Sequence, residues 1–263
     1  LIVVIEVILL SIFIFIICTA GIKTKSLSYS GGAAAFICGE IIAVSFGLRG
    51  LLILGAFFLS SSLLSRFKAS EKSQVEEIAA KGSRRDWQQV AANGGPAAIF
   101  CMANIAEPQE VWLICFCACL AAANADTWAS ELGVLSRGKP YSIRSFRFVQ
   151  KGTSGAVSML GTLAALAGAA FIAVISLVLF WGIGAYALIW ITLSGFLGSV
   201  ADTVFGAFLQ VEYQCRKCKL KTEKTIHCSR TTQKVKGWKF VTNETVNFIS
   251  PLLAGLLILF IYF

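Results

Sequence analysis

Long apolar runs alternate with short polar segments along the whole chain, and that alternation predicts its architecture. Residues 1–20 are almost wholly apolar and about one membrane thickness long as a helix. Shorter apolar runs follow at 31–48 and 50–65, divided by a break at Arg49-Gly50. A fourth begins inside the polar stretch KGSRRDWQQVAANGG (81–95) and reaches about Asn104; a fifth occupies 111–125. The sixth, 157–180, carries Gly161, Gly168 and several alanines that suit close helix packing. A glycine turn leads to the seventh, which ends in GSVADTVFGAFLQ (198–210), and 241–263 is the eighth. The pattern predicts an all-α polytopic membrane protein of about eight transmembrane helices. It forms one domain over 1–263, with cytosolic loops at 66–89, 133–152 and 211–241. The first run has no methionine before it, so a few preceding residues are expected. Without a basic leader or a small-x-small cleavage site, it is expected to stay as a span.

Composition sharpens this reading. A chain of 263 residues that is 57% hydrophobic and 14% charged is too apolar for a soluble domain. The net charge of +9 is therefore read by position, since lysine and arginine collect in cytoplasmic loops, and it does not imply nucleic acid. With eight spans and the N-terminus outside, every basic residue except Arg49 falls in an inner loop. The same orientation brings Asn93, Asp126, Asp202 and Asn247 to the inner ends of their helices, on the face where cytosolic nucleotide is available.

The candidate chemistry centres on ANADTWASELG (123–133), where carboxylates close an apolar run at a cost that usually reflects function. Helical spacing puts Asp126, Ala129 and Gly133 on one face and Glu131 on another, unless the helix frays there. A basic loop with Arg137, Lys139, Arg144, Arg147 and Lys151 follows, and Gly152, Thr153, Ser154 and Gly155 open the next apolar run as a phosphate-binding helix start. Upstream, Arg84 and Arg85 run into a helix bearing Gln88, Gln89 and Asn93. Ala125-Asp126-Thr127 and Ala201-Asp202-Thr203 repeat one theme, a weak sign of internal duplication. Asn243 and Asn247 share a face of the last span.

These parts suit phosphoryl transfer, in which positioning and charge neutralisation dominate. Asp126, Glu131 and Asp202 are the candidate catalytic residues, and Asn124, Asp126 and Asp202 the candidate magnesium ligands. Arg84, Arg85, Asn93, Lys139, Arg144, Arg147, Lys151, the 152–155 segment, Asn243 and Asn247 are the candidate phosphate ligands. For the basic residues, topology and anionic lipid are the competing explanation. No histidine lies near this cluster, which favours an acceptor already ionised at neutral pH, such as a lipid monophosphate with a second pKa of about 6.

Six cysteines lie in apolar runs and are expected to pack as small hydrophobes. Cys215-x-x-Cys218 followed by His227-Cys228 offers a structural zinc set in the last loop, with free thiols as the alternative. Glu6 and Glu40 are intramembrane acids. Glu40, in mid-span, is the better candidate for a function.

GSRRDWQQVAANGG (82–95), NADTWASELGVLS (124–136), KGTSGAVSMLG (151–161), GSVADTVFGAFLQ (198–210), the YQCRKCK…HC loop (213–228) and NETVNFIS (243–250) together resemble the integral-membrane family of plant phytyl-phosphate kinase and transmembrane protein 19. That resemblance implies transfer of a phosphoryl group from CTP or ATP to a phytyl or polyprenyl monophosphate. Asp126-x-x-Ala129-x-x-x-Gly133 is also similar to a pattern of CTP-using dolichol and phytol kinases, whereas Phe205 and Leu209 break it after Asp202. Two other functions remain open from the residues: a CTP-dependent lipid-phosphate nucleotidyltransferase, and a lipid-phosphate transporter using Glu6, Glu40, Asp126 and Asp202 as ion ligands.

Overall fold

A fifth helix buried on all sides organises the molecule. In the computed structural model, which describes residues 2–262 with the side chains of 2–4 and 73–76 excepted, α5 (Glu110–Gly133) is sealed from solvent at every position from 113 to 125. Leu1 and Phe263, at the ends of the first and last expected spans, lie outside the described residues. The sequence of α5 explains its place: a run of alanine and cysteine presents apolar surface all round and little bulk, so neighbours approach closely. Three helices meet it through glycine. A Cβ on Gly168 of α6 (Met159–Leu179) would lie 3.2 Å from the Ala125 Cα, and one on Gly198 of α7 (Gly184–Phe208) 2.6 Å from the Ala122 Cβ. On Gly255 of α8 (Asn243–Tyr262), the Cys119 sulfur would be 2.8 Å away. Of the six cysteines in apolar runs, those at 18, 101, 115, 117 and 119 are buried free thiols in this packing, as small hydrophobes should be, and Cys38 is half-buried.

α1 (Ile2–Lys23) pairs with α2 (Tyr29–Arg66), and α2 is a hairpin. A straight helix of 38 residues would extend about 57 Å. Instead Arg66 Nη2 donates to Thr24 O at 2.7 Å and to Ser26 Oγ at 2.9 Å, so the end of α2 has come back beside the end of α1. The reversal is at Gly47, with φ 60° and ψ −153°, not at the expected Arg49-Gly50. Arg49 sits just past the turn, over the ring of Phe180. The runs at 31–48 and 50–65 are therefore the two arms of one helical hairpin.

α3 (Ala69–Ile78) is a short helix inside the first polar loop, and α4 (Trp87–Ala106) begins at a capping box in which the Asp86 side chain accepts from the Gln89 N–H. α1, α2, α5, α6, α7 and α8 are each long and apolar enough to cross a membrane. α4 matches them in length but carries Gln88, Gln89 and Asn93. The protein is thus an integral, multi-pass, mostly helical membrane protein.

The expected all-α class holds for this helical body but not for its loops. β1 (Tyr141–Ser142), β2 (Arg147–Phe148) and β3 (Ala156–Val157) form an antiparallel sheet in the order β2-β1-β3. In the last loop β4 (Glu212–Gln214), β5 (Lys221–Thr222) and β8 (Gln233–Lys236) make a second sheet, ordered β5-β4-β8, and β6 (Ile226–His227) pairs with β7 (Arg230–Thr231). These loops gather at one end of the helical body. Thr222 Oγ1 and the Glu223 N–H both donate to Ile78 O at the end of α3, and the Arg85 and Ser28 backbones bridge the second and first polar segments.

Candidate functional site

Asp126 on α5 and Asp202 on α7 meet at the loop end of the helical body, where their carboxyl groups come within hydrogen-bonding distance of each other. The small residues that bring α5 and α7 together one turn deeper, Ala122 and Gly198, make this approach possible. The two Ala-Asp-Thr segments have the same local bonding: Thr127 Oγ1 donates to Ala123 O at 2.9 Å, and Thr203 Oγ1 to Ser199 O at 3.1 Å. Asn247 of α8, with its amide nitrogen turned inward, donates to Asp202 Oδ2 at 3.1 Å and to Asn243 O at 3.2 Å. Asn93 reaches the same place from α4. Four helices therefore supply one polar cluster. Above it opens a cavity of about 540 Å3, bounded by the three polar loops.

Two carboxyl groups side by side in a largely apolar surround require a proton or a cation between them. Their oxygens are donors of the kind magnesium takes, with remaining positions left to water or phosphate, and the Asn247 amide nitrogen steadies Asp202 by its bond to Oδ2.

Glu131 also lines the cavity, but on the face that its spacing forecast, because α5 runs unbroken to Gly133. Its two oxygens are occupied by Ser65 Oγ at 2.5 Å and by Lys72 Nζ at 2.6 Å. Arg85 faces the cavity with its guanidinium over the rings of Phe57 and Phe58, 5.9 and 5.3 Å from their centroids, and only a long 3.4 Å bond to Ser62. Its donors are largely unspent.

The segment Gly152, Thr153, Ser154 and Gly155 lines the opposite wall. It is not a helix start, as its sequence suggested: a turn leads into β3, and α6 begins later at Met159, capped by Ser158 Oγ accepting from the Gly161 N–H. Glycine at 155 is required twice over. Its φ is +75°, and a Cβ there would lie 2.3 Å from the Ala207 Cβ, so the loop could not rest against α7. Ser154 Oγ then donates to Gln210 Oε1 at 3.0 Å, and Gln210 Nε2 to Glu223 Oε1 at 2.6 Å. Burial, with Glu244 nearby, pushes the Glu223 carboxyl above its ordinary range.

Several candidate residues lie elsewhere. Asn124 is fully buried; it accepts from Ser60 Oγ and donates to Gly168 O at 2.8 Å, tying α2, α5 and α6 together. Arg84 Nε caps Leu27 O. Lys139, Arg144 and Arg147 stand on exposed loop surface outside the cavity lining, whereas Lys151 lines it and donates to Ser136 O. Glu40 accepts from Ser11 between α1 and α2, remote from the cavity, and Glu6 is exposed.

The last loop holds a second constellation. Ligand atoms of Cys215, Cys218, His227 and Cys228 all lie within 4.8 Å of one another. Cys218 and Cys228 sulfurs are 3.9 Å apart, and His227 Nδ1 is 3.5 and 3.3 Å from them. Tetrahedral zinc with bonds of about 2.3 Å to sulfur sets sulfur atoms roughly 3.8 Å apart, so the set fits that ion as it stands. His227 Nε2 faces Glu77 Oε1 at 3.5 Å, which leaves Nδ1 for a metal. The backbone N–H of Cys218 pulls the Cys215 thiol down to about 6, toward the thiolate that metal binding needs.

Residues 12–255 match the family described as "Integral membrane protein DUF92". The chain belongs to that family. It is 33% identical over 266 residues to Protein PGR of Arabidopsis thaliana, covering 89% of this chain and 88% of the relative. To an uncharacterized membrane protein of Methanocaldococcus jannaschii it is 33% identical over 204 residues, 76% of this chain and 83% of the relative. Protein VTE6, chloroplastic, of Arabidopsis thaliana is 28% identical over 152 residues, 56% of this chain and 46% of the relative. No solved structure matches.

This DUF92 chain also recruits residues that its sequence did not flag. Lys72 comes from a mixed-charge stretch with nothing to single it out. Gln89 carries a signal of another kind, since a glutamine three residues after Asp86 marks a helix cap. Gln210 and Glu223 join the cavity only because the last loop folds back over α7, which no spacing reports.

Proposed function

We propose that this protein transfers a phosphoryl group from a nucleoside triphosphate to an isoprenoid monophosphate, of phytyl or polyprenyl type, to give the diphosphate. The observation that carries this reading is the Asp126–Asp202 pair at the floor of a polar, basic-rimmed cavity at one membrane end. The relationship to the phytyl-phosphate kinase family supports the same chemistry.

A terminal oxygen of the acceptor monophosphate attacks the γ-phosphorus, the bond from that phosphorus to the β,γ-bridging oxygen breaks, and the nucleoside diphosphate leaves. The acceptor is already anionic at neutral pH, so no general base is needed. Asp126 and Asp202 would hold magnesium, which supplies charge neutralisation between the phosphates. Arg85, Lys151, the 152–155 backbone, Asn93 and Asn243 offer phosphate contacts from the cavity wall, and Asn247, itself held by Asn243 O, orients Asp202. Glu131 fixes Lys72 at the opening. The cysteine loop is a structural zinc unit.

In this reading α2 crosses twice and α4 once, making eight crossings with the N-terminus outside and the cavity facing the cytoplasm. A transport function would need a path to the other side. There α6 and α7 are closed by Ile172, Ala187 and Ile191, all buried.

Purified protein with magnesium, γ-labelled CTP or ATP and farnesyl monophosphate tests the proposal. Label recovered in lipid diphosphate supports it. Intact nucleotide, or pyrophosphate with nucleotide joined to lipid, rejects it.

A further inference from the structure

The α6–α7 pair is closed along one half and open along the other. Ile172 and Ala173 of α6 and Ala187 and Ile191 of α7 are buried together in the half remote from the loops. Toward the loop end the helices part, and the cavity fills the gap, lined by Thr162 and Ala165 on one side and Phe196, Val200 and Val204 on the other. Val200 and Val204 are 41% and 39% exposed and continue the stripe of Leu193 and Leu197, the membrane-facing side of α7. The same two valines thus border both the bilayer and the chamber that holds Asp126 and Asp202.

We propose that this seam is the lateral entry for the lipid substrate: the phosphate sits by Asp126 and Asp202 while the isoprenoid chain leaves between α6 and α7 into the membrane. This rests on the kinase reading for the identity of the head group. Phe196 is six residues from Asp202, about 9 Å along the helix, and closes the deep end of the groove. Only the head-proximal part of a chain fits within that distance. A tail moving from lipid into an apolar groove gains little, because lipid is as apolar as the groove lining. The seam therefore directs the head group without selecting chain length, and farnesyl, geranylgeranyl and phytyl monophosphates should compete similarly for the site.

The test uses the full chain in nanodiscs and a farnesyl monophosphate carrying a diazirine on its head-proximal isoprene unit, with adducts mapped by mass spectrometry. Adducts within 162–165 and 196–204, removed by excess geranylgeranyl monophosphate and reduced several-fold by Val200→Trp, are the expected result. Leu197→Trp, on the same stripe but outside the cavity lining, should leave them unchanged. Adducts on α1, α2 or α8 instead, adducts indifferent to Val200→Trp, or none at all would overturn the seam. Transfer of γ-label in the same nanodiscs separates the two ideas: turnover without seam adducts rejects the entry route alone, and seam adducts without turnover reject the kinase alone.

Discussion

Lys72 Nζ lies 2.6 Å from Glu131 Oε2, joining a helix of the first polar loop to the central helix α5, and the Lys72 side chain is only 7% exposed. Removing one partner strands the other's charge in a partly dry place. Lys72→Met should therefore destabilise the protein by about 2 kcal/mol, below the 3–5 of a fully buried pair because Glu131 keeps some solvent and has Arg85 near. Lys72→Met combined with Glu131→Leu should recover most of that loss. Thermal unfolding in detergent of the single and double variants checks both.

In the proposed chemistry Asp126 and Asp202 act on one ligand. Asp126→Asn and Asp202→Asn should each lower phosphoryl transfer about 100-fold or more, and the double variant should be little worse than either, as residues working as a unit are not additive. Steady-state rates across a magnesium titration decide this. Losses that multiply in the double variant would mean the two acids act separately.

The cysteine cluster should hold one metal ion per chain, and elemental analysis of purified protein would find zinc. Cys218→Ser or a strong chelator should release it and open residues 216–231 to protease, while the helical body stays intact. A zinc-free protein whose loop resists protease equally would count against a structural metal.

Gly155→Ala should be costly out of proportion to one methyl group. It forces φ +75° on an alanine and drives a Cβ into Ala207, each an effect of about 1–3 kcal/mol. Adding Ala207→Gly takes away only the Cβ contact, because the backbone Cα and N of residue 207 would still lie 2.4 and 2.5 Å from the new Cβ, so unfolding measurements should show little rescue.

Glu223 binds its proton more tightly in the folded protein than its ordinary value of 4.5, because burial disfavours its charge. A raised acid pKa means the folded state holds more protons, so this group's contribution falls as pH rises from 4.5 through its folded value. Glu223→Gln should flatten that part of the stability profile. An unchanged pH profile in the variant would show that Glu223 titrates normally.

Much of this was legible in the sequence. Apolar runs marked every membrane helix, and the distinct faces of Asp126 and Glu131 followed from helical spacing that the unbroken α5 preserves. Three departures from the sequence reading have physical causes. Hydropathy reports where a span ends but not the dihedral that ends it, so Gly47 was hidden beside the more conspicuous Arg49-Gly50. Charge reports which loops are basic but not which basic groups turn inward. Lys139, Arg144 and Arg147 face outward, while Lys72 and Arg85 are drawn in by a carboxylate and by two phenylalanine rings. Asn124, two residues before Asp126, faces the other way because two residues along a helix are a rotation of about 200°.

The short helix α3 touches Glu131 through Lys72 near one end and His227 through Glu77 near the other. It works as a strap between the cysteine loop and the helical body, and a strap fixes distances. Lengthening or trimming either the 66–86 segment or the 211–241 segment would slip both fastenings at once. The two loops must therefore keep their lengths in step, however freely the residues on their outer surfaces change.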